Sequence, residues 1–119
     1  MEKHSMTKHK IVLVPFSFDD LSSVKVRPAV CLTEAIGPHK HVVLAFITSH
    51  VPSQPLPTDF IMEDNDPEFI KTGLRVSSTL QLHRMMTVTT GMISRELGKL
   101  PKGMQAKVEK RLRVLFGIH

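Results

Sequence analysis

The apolar residues of this chain arrive in runs too short for helices and fenced by proline and glycine. Ile11-Val12-Leu13-Val14-Pro15-Phe16, Pro28-Ala29-Val30-Cys31-Leu32-Thr33 and Val42-Val43-Leu44-Ala45-Phe46-Ile47 are short, largely apolar and rich in β-branched residues. Such runs read as buried strands. Pro15 donates no ladder hydrogen bond, so it must lie at a strand end or edge, and Pro28 opens its strand, where proline is tolerated. Gly37-Pro38 marks a turn. Pro52, Pro55 and Pro57 fall within Val51 to Pro57 and forbid a helix or central strand there, which predicts an extended loop. Thr58 to Met62 reads as a short edge strand, Asp64 to Pro67 as a turn, Leu74 to Leu82 as a fifth strand and Met85 to Thr90 as a sixth. Only the end changes period. Met104, Val108, Leu112, Leu115 and Phe116 recur at helical spacing, with Pro101 suited to the first turn and Gly117 to the stop. Five or six short strands and one terminal amphipathic helix predict a mainly β fold, a small and strongly bent β-barrel with the helix packed on it.

A chain of 119 residues with 41% hydrophobic content can bury one core. Residues 10–119 are expected to form a single domain, and residues 1–9, polar and basic, a flexible N-terminal extension. Met6 is a second candidate start, which would make Met1–Ser5 an addition. No apolar run is long enough to span a bilayer and the start lacks a signal-type apolar stretch, so a cytoplasmic location is expected. The single cysteine, Cys31, can form no intrachain disulfide. Its neighbours Val30 and Leu32 suggest a buried thiol, whereas a nucleophile would need an electropositive, partly exposed setting.

Charge is unevenly placed on this chain of net charge +5. Arg95, Lys99, Lys102, Lys107, Lys110, Arg111 and Arg113 face only Glu96 and Glu109 within the same stretch, while Asp59, Glu63, Asp64, Asp66 and Glu68 cluster earlier. A basic surface attracts phosphates or an acidic protein. Taken alone, a basic helix is more often a solvated face.

Familiar catalytic signatures are missing from the sequence. It has neither a glycine-rich phosphate loop nor a nucleophile elbow. Of the seven histidines, His39 and His41 are the one close pair, and residues two apart on a strand share a face. No cysteine or carboxylate near them completes a ligand set, so no metal and no cofactor is expected. What remains is polar residues at the ends of apolar strands: Lys25 and Arg27 before the second, Thr48, Ser49 and His50 after the third, and Ser77, Ser78, Thr79 and His83 in the fifth. Strand ends hold side chains rigidly while leaving them open to solvent.

The same positions carry a family resemblance. The strand ending Val14-Pro15-Phe16, then Asp20-Leu21-Ser22, then Lys25-Val26-Arg27-Pro28-Ala29-Val30, resembles the opening of MazF/PemK proteins. Val43-Leu44-Ala45-Phe46-Ile47-Thr48-Ser49 is similar to the family's second block, and Thr58-Asp59, Thr72-Gly73-Leu74 and Arg95-x-Leu97-Gly98-x-Leu100 follow in order. Each block alone is weak, but five in order and spacing, from Lys10 to Ile118, are specific. Two departures stand out. His9-Lys10 replaces the Gly-Asp that many members carry, and the first loop reads Ser22-Ser23-Val24 where glycine is usual.

The resemblance implies an SH3-like barrel, a homodimer, and a bacterial toxin held silent by an antitoxin. It implies cleavage of single-stranded RNA at short sequences, leaving 2′,3′-cyclic phosphate and 5′-hydroxyl ends. Carried over by position, Arg27 and Thr48 are the catalytic pair, and Lys25, Ser49 and Asp20 are RNA contacts. His83 falls where some members place an aspartate base. It could serve as a base, or be only a partly exposed strand-end residue. The chemistry suits these types. RNA supplies its own nucleophile, the 2′-hydroxyl, so no metal is needed. A guanidinium can grip two phosphate oxygens, and a threonine hydroxyl can orient the attacking group. With no Trp or Tyr, base stacking would fall to Phe16 or Phe18. The same barrel also serves a toxin that poisons DNA gyrase, so a non-catalytic toxin, or a module that only binds nucleic acid or protein, is the alternative. Arg27 and Thr48 together favour the ribonuclease. The partner expected on the basic surface is an acidic, largely disordered antitoxin.

Overall fold

The computed structural model describes residues 7–17 and 24–119. Its strands are β1 (Lys10–Ser17), β2 (Val24–Cys31), β3 (His41–Thr48), β4 (Asp59–Met62), β5 (Ser78–Thr89) and β6 (Arg95–Lys99), followed by helix α1 (Lys102–Phe116). They form one antiparallel sheet in the order β4-β5-β3-β2-β1-β6. This is the mainly β architecture with a C-terminal helix that the strand-length runs and the late helical period predict.

Alternate residues of the strands face opposite ways, and two apolar clusters result. One face gathers Ile11, Val30, Ala45, Ile47, Leu80 and Leu82 with Phe60 and Met62 of β4, and is capped by Met104 and Val108 of α1. The other gathers Val12, Val14, Ala29, Cys31, Val42, Leu44, Phe46 and Val88. A strand buried on both faces reads as an unbroken apolar run, which is why β3 is the most apolar segment.

The two edges of the sheet are drawn together, giving a half-barrel. A 3₁₀ turn, Phe69–Thr72, follows β4 and packs on β6. Buried Thr72 donates to the Phe69 carbonyl at 2.7 Å and accepts from Leu74 N–H at 3.1 Å, which fixes the turn's exit. Gly73 then takes a left-handed φ of 75° with its α-carbon against the Leu97 backbone, and Gly98 meets the backbone of Lys71 and Thr72. A side chain fits at neither place. The Thr72-Gly73-Leu74 and Leu97-Gly98 blocks are thus two halves of one backbone contact.

Helix α1 covers β4 and β5. Its Arg111 donates through Nε to the Asp59 carbonyl at 2.9 Å and lays its guanidinium 5.2 Å from the Phe60 ring centroid. One cation of the basic stretch is therefore spent on covering the edge strand, a common guard against stray pairing. Gly117, at φ 66°, ends the helix as expected.

Several boundaries differ from the sequence reading. β2 starts at Val24, ahead of Pro28, because it pairs there with β1 alone. The two strands expected from Leu74 to Leu82 and Met85 to Thr90 are one strand, β5, since β3 runs alongside both, and Leu74 to Ser77 stays outside it. The register jumps from Ala45↔Met85 to Phe46↔Gln81, leaving Leu82, His83 and Arg84 as a bulge. β6 went unread because it is short and mostly charged or small, and it becomes a strand by pairing with β1. Within the expected N-terminal extension, Thr7 N–H and Lys8 N–H donate to Glu34 Oε1, and His9 N–H to the Cys31 carbonyl. Cys31 is buried, and burial pushes its thiol up to about 11, which keeps it protonated and inert.

Gly98→Ala should force the turn away from β6 and cost ~1–3 kcal/mol, the usual scale of overpacking. Chemical denaturation measures it, and a variant of wild-type stability would contradict the contact.

Candidate active site

Pro28 opens the sheet at the place where Arg27 and Thr48 meet. Leu32 N–H donates to the Val43 carbonyl at 2.8 Å, and the β2–β3 register runs on through Cys31↔Leu44, Val30↔Ala45 and Ala29↔Phe46. In an antiparallel ladder every second residue aims its amide at the same neighbour. After Leu32 these are Val30 and residue 28, a proline with no N–H to give. The paired register ends at Ala29. Carried two residues further, the same register sets Arg27 opposite Thr48, on the face that carries Ala29 and Phe46.

A cavity of about 220 Å³ lies at that opening, lined by Phe16, Arg27, Phe46, Ile47 and Thr48, with His50 from the following loop and Gln81 and Arg84 from β5. Phe16 and Phe46 pack ring to ring at 4.7 Å and form its apolar wall. Phe16 is thus half-buried wall, and Phe18 lies outside the described residues. Thr48 Oγ1 accepts from His50 N–H at 3.2 Å. Buried Thr79 donates to the His50 carbonyl at 2.8 Å. The loop leaving β3 is therefore pinned on both sides of His50. Arg84 reaches the cavity from the β5 bulge, which sets a second guanidinium on the same walls as Arg27.

Arg27 also lines a second cavity, of about 320 Å³, with Ser49, Arg75 and Arg95 among its walls. Arg27, Arg75 and Arg95 give the described walls of this cavity three cations, a charge pattern that attracts anions.

The structure brings Arg27 and Thr48 into one cavity. Ser49 lines the second cavity, on the far side of Arg27. Lys25 is exposed on β2, two residues before Arg27 and on the same face. Asp20 lies outside the described residues. His83 is exposed within the bulge, and its neighbour Arg84 lines the first cavity while His83 lines neither. His39 and His41 lie 5.9 Å apart by ring centroid. Among the described residues no three histidine, cysteine, aspartate or glutamate side chains gather as a metal site.

Residues 7–116 match the model of the PemK-like, MazF-like toxins of type II toxin–antitoxin systems. The chain belongs to that family. Solved structures of similar fold include the toxin MazF-mt6 of Mycobacterium tuberculosis, at TM-score 0.69 and 22% identity over 92% of this chain and 98% of that one. Another is a mycobacterial endoribonuclease in complex with its cognate antitoxin, at TM-score 0.67 and 15% identity over 97% and 98% of the two chains. A third is a mycobacterial endoribonuclease at TM-score 0.65 and 16% identity over 98% and 97%. Identities this low speak for the fold. A comparison with curated proteins finds no match. Among the described residues no helix is long and apolar enough to cross a membrane.

Sequence reasoning passed over Gln81 and Arg84, and noted His50 only as a polar strand-end residue. Gln81 and Arg84 sit inside an apolar strand pattern, and only the register jump brings Arg84 to the cavity. No local signal marks such a bulge.

Thr79→Val keeps the shape and removes the hydroxyl, leaving the His50 carbonyl without its donor. A loss of ~1–3 kcal/mol is expected, with faster amide exchange at His50. Unchanged stability and exchange would show that this tether holds nothing.

Proposed function

We propose that this family member is an endoribonuclease toxin that cuts single-stranded RNA without a metal. The observation that carries this reading is the shared cavity of Arg27 and Thr48 at the break in the β2–β3 ladder. RNA brings its own nucleophile, so the protein has to hold the scissile phosphate, favour the extra negative charge of the transition state and help protons move. A guanidinium stays charged throughout and matches two phosphate oxygens. Arg27 takes that role. Thr48 Oγ1 already accepts from His50 N–H, so its own proton can be given to a phosphate oxygen, or the hydroxyl can orient the attacking 2′-hydroxyl. The 2′-oxygen attacks phosphorus, the bond to the 5′-oxygen breaks, and the ends are a 2′,3′-cyclic phosphate and a 5′-hydroxyl.

The surroundings support a polyanionic substrate. Arg84, Arg75 and Arg95 flank the two cavities that share Arg27, and the whole chain carries net charge +5. Lys25, Ser49 and Asp20 are proposed as further RNA contacts. The working unit is a homodimer, resident in the cytoplasm and inhibited by an acidic antitoxin that competes with RNA for the basic surface. The similar mycobacterial structure, an endoribonuclease in complex with its cognate antitoxin, supports an antitoxin as partner.

Incubation of a weakly structured RNA with the protein and excess EDTA tests the reading, with Arg27→Ala alongside. Cutting should persist in chelator, and Arg27→Ala should lower the rate at saturating RNA by roughly 10²–10³-fold, the cost of removing one comparable electrostatic donor. Loss of cutting in EDTA that a divalent ion restores, or near wild-type cutting by Arg27→Ala, would refute the mechanism. RNA binding with no cutting by the wild-type protein would leave a binding module.

A further inference from the structure

We infer that His50 is the proton-transfer group of this site, an inference that rests on the ribonuclease reading above. The reaction has a proton to lose and a proton to place. As the O2′–P bond forms, the 2′-hydroxyl gives up its proton, and as the P–O5′ bond breaks, the departing 5′-oxygen must gain one. Arginine and threonine are poor carriers of that proton near neutral pH, whereas imidazole is the side chain made for it. No external reagent is needed, since the proton lost and the proton gained balance.

Three observations single out His50. First, it is the histidine that lines the cavity shared by Arg27, Thr48 and Arg84, and His83, the candidate raised by sequence position, does not line it. Second, its backbone is fixed on both sides: its N–H is held by Thr48 Oγ1 at 3.2 Å and its carbonyl by the buried Thr79 hydroxyl at 2.8 Å. A general acid or base must reach its proton within hydrogen-bond distance, so a loop pinned at that residue is what the chemistry requires. Third, the imidazole takes no part in either tether and His50 is exposed, so its ring is available to the cavity and to solvent. Among the described residues the arginines on the cavity walls are Arg27 from β2 and Arg84 from β5. Both are cations, and they hold the phosphate while the neutral or protonated ring exchanges with the sugar oxygens. Thr79 is then a positioning residue that acts through the His50 carbonyl.

The test uses the full chain, a single-stranded RNA that wild type cuts, and single-turnover rates at saturating RNA. His50→Gln and His50→Gly should bind RNA as wild type does and cut it at least about 10²-fold more slowly, the lower range for a positioned acid or base. Added imidazole should restore part of the rate of His50→Gly and leave His50→Gln unmoved, a readout that a merely structural role would not give. Among the described residues the His50 side chain makes no hydrogen bond, so both variants should fold, and circular dichroism checks that they do. Wild-type rates in both variants, a loss confined to RNA affinity, or a rate loss that imidazole does not relieve in His50→Gly, would overturn the assignment. So would a loss seen on His83→Gln with His50→Gln cutting normally. If the wild-type protein cuts no RNA at all, the ribonuclease reading fails first, and the two failures are told apart by that control.

Discussion

One missing hydrogen-bond donor organises the business end of this molecule. β2 and β3 are zipped from Leu32 to Ala29, and the next amide that should reach β3 belongs to Pro28. Without it the ladder stops while both strands continue. The gap places Arg27 and Thr48 across from each other, on a rigid scaffold but out of the packed core. The proline thus interrupts the β2–β3 pairing without ending either strand, and the cavity lined by Arg27 and Thr48 lies beyond that break.

The rest of the fold steadies that opening. The backbone contact of Gly73 and Gly98 brings the 3₁₀ turn after β4 against β6, and this curl places Arg75 and Arg95 around the second cavity with Arg27. The β5 bulge delivers Arg84 to the first cavity. Coulomb interactions between exposed arginines and phosphate are weak in water and strengthen several-fold where the substrate excludes it. On the proposed ribonuclease reading, the charge arrangement acts on a bound phosphate more than it stabilises the empty protein. The surface ion pair of Lys10 and Glu96, at 3.3 Å, adds little by comparison.

What was legible in the sequence follows from how local each signal is. The apolar runs of β1, β2 and β3, the three-proline loop and the helical period of α1 are written in neighbouring residues, and they emerged with boundaries shifted by a few positions. Arg27 and Thr48 stood out as polar residues flanking apolar runs and were paired only through the family resemblance; Thr48 does end β3, whereas Arg27 lies inside β2. β6 was not legible, since Arg95-Glu96-Leu97-Gly98-Lys99 has no strand pattern of its own and depends on β1. Arg84 and Gln81 were not legible either, because a bulge is a mismatch between two strands far apart in sequence. The reading of Arg111 as part of a surface basic stretch missed its bond to the Asp59 carbonyl, which only the docked helix creates.

On the proposed mechanism the RNA is its own nucleophile and the protein supplies held charge and proton transfer. The most direct measurement compares two oligonucleotides identical except for one 2′-deoxy nucleotide on the 5′ side of the bond that is cut, at equal saturation with the protein. The all-ribose strand should be cut there, to a 2′,3′-cyclic phosphate visible by mass spectrometry, while the substituted strand should bind as tightly and stay intact at that bond. Cutting of the 2′-deoxy linkage at a comparable rate would contradict it, since a nucleophile other than the 2′-hydroxyl would then be at work.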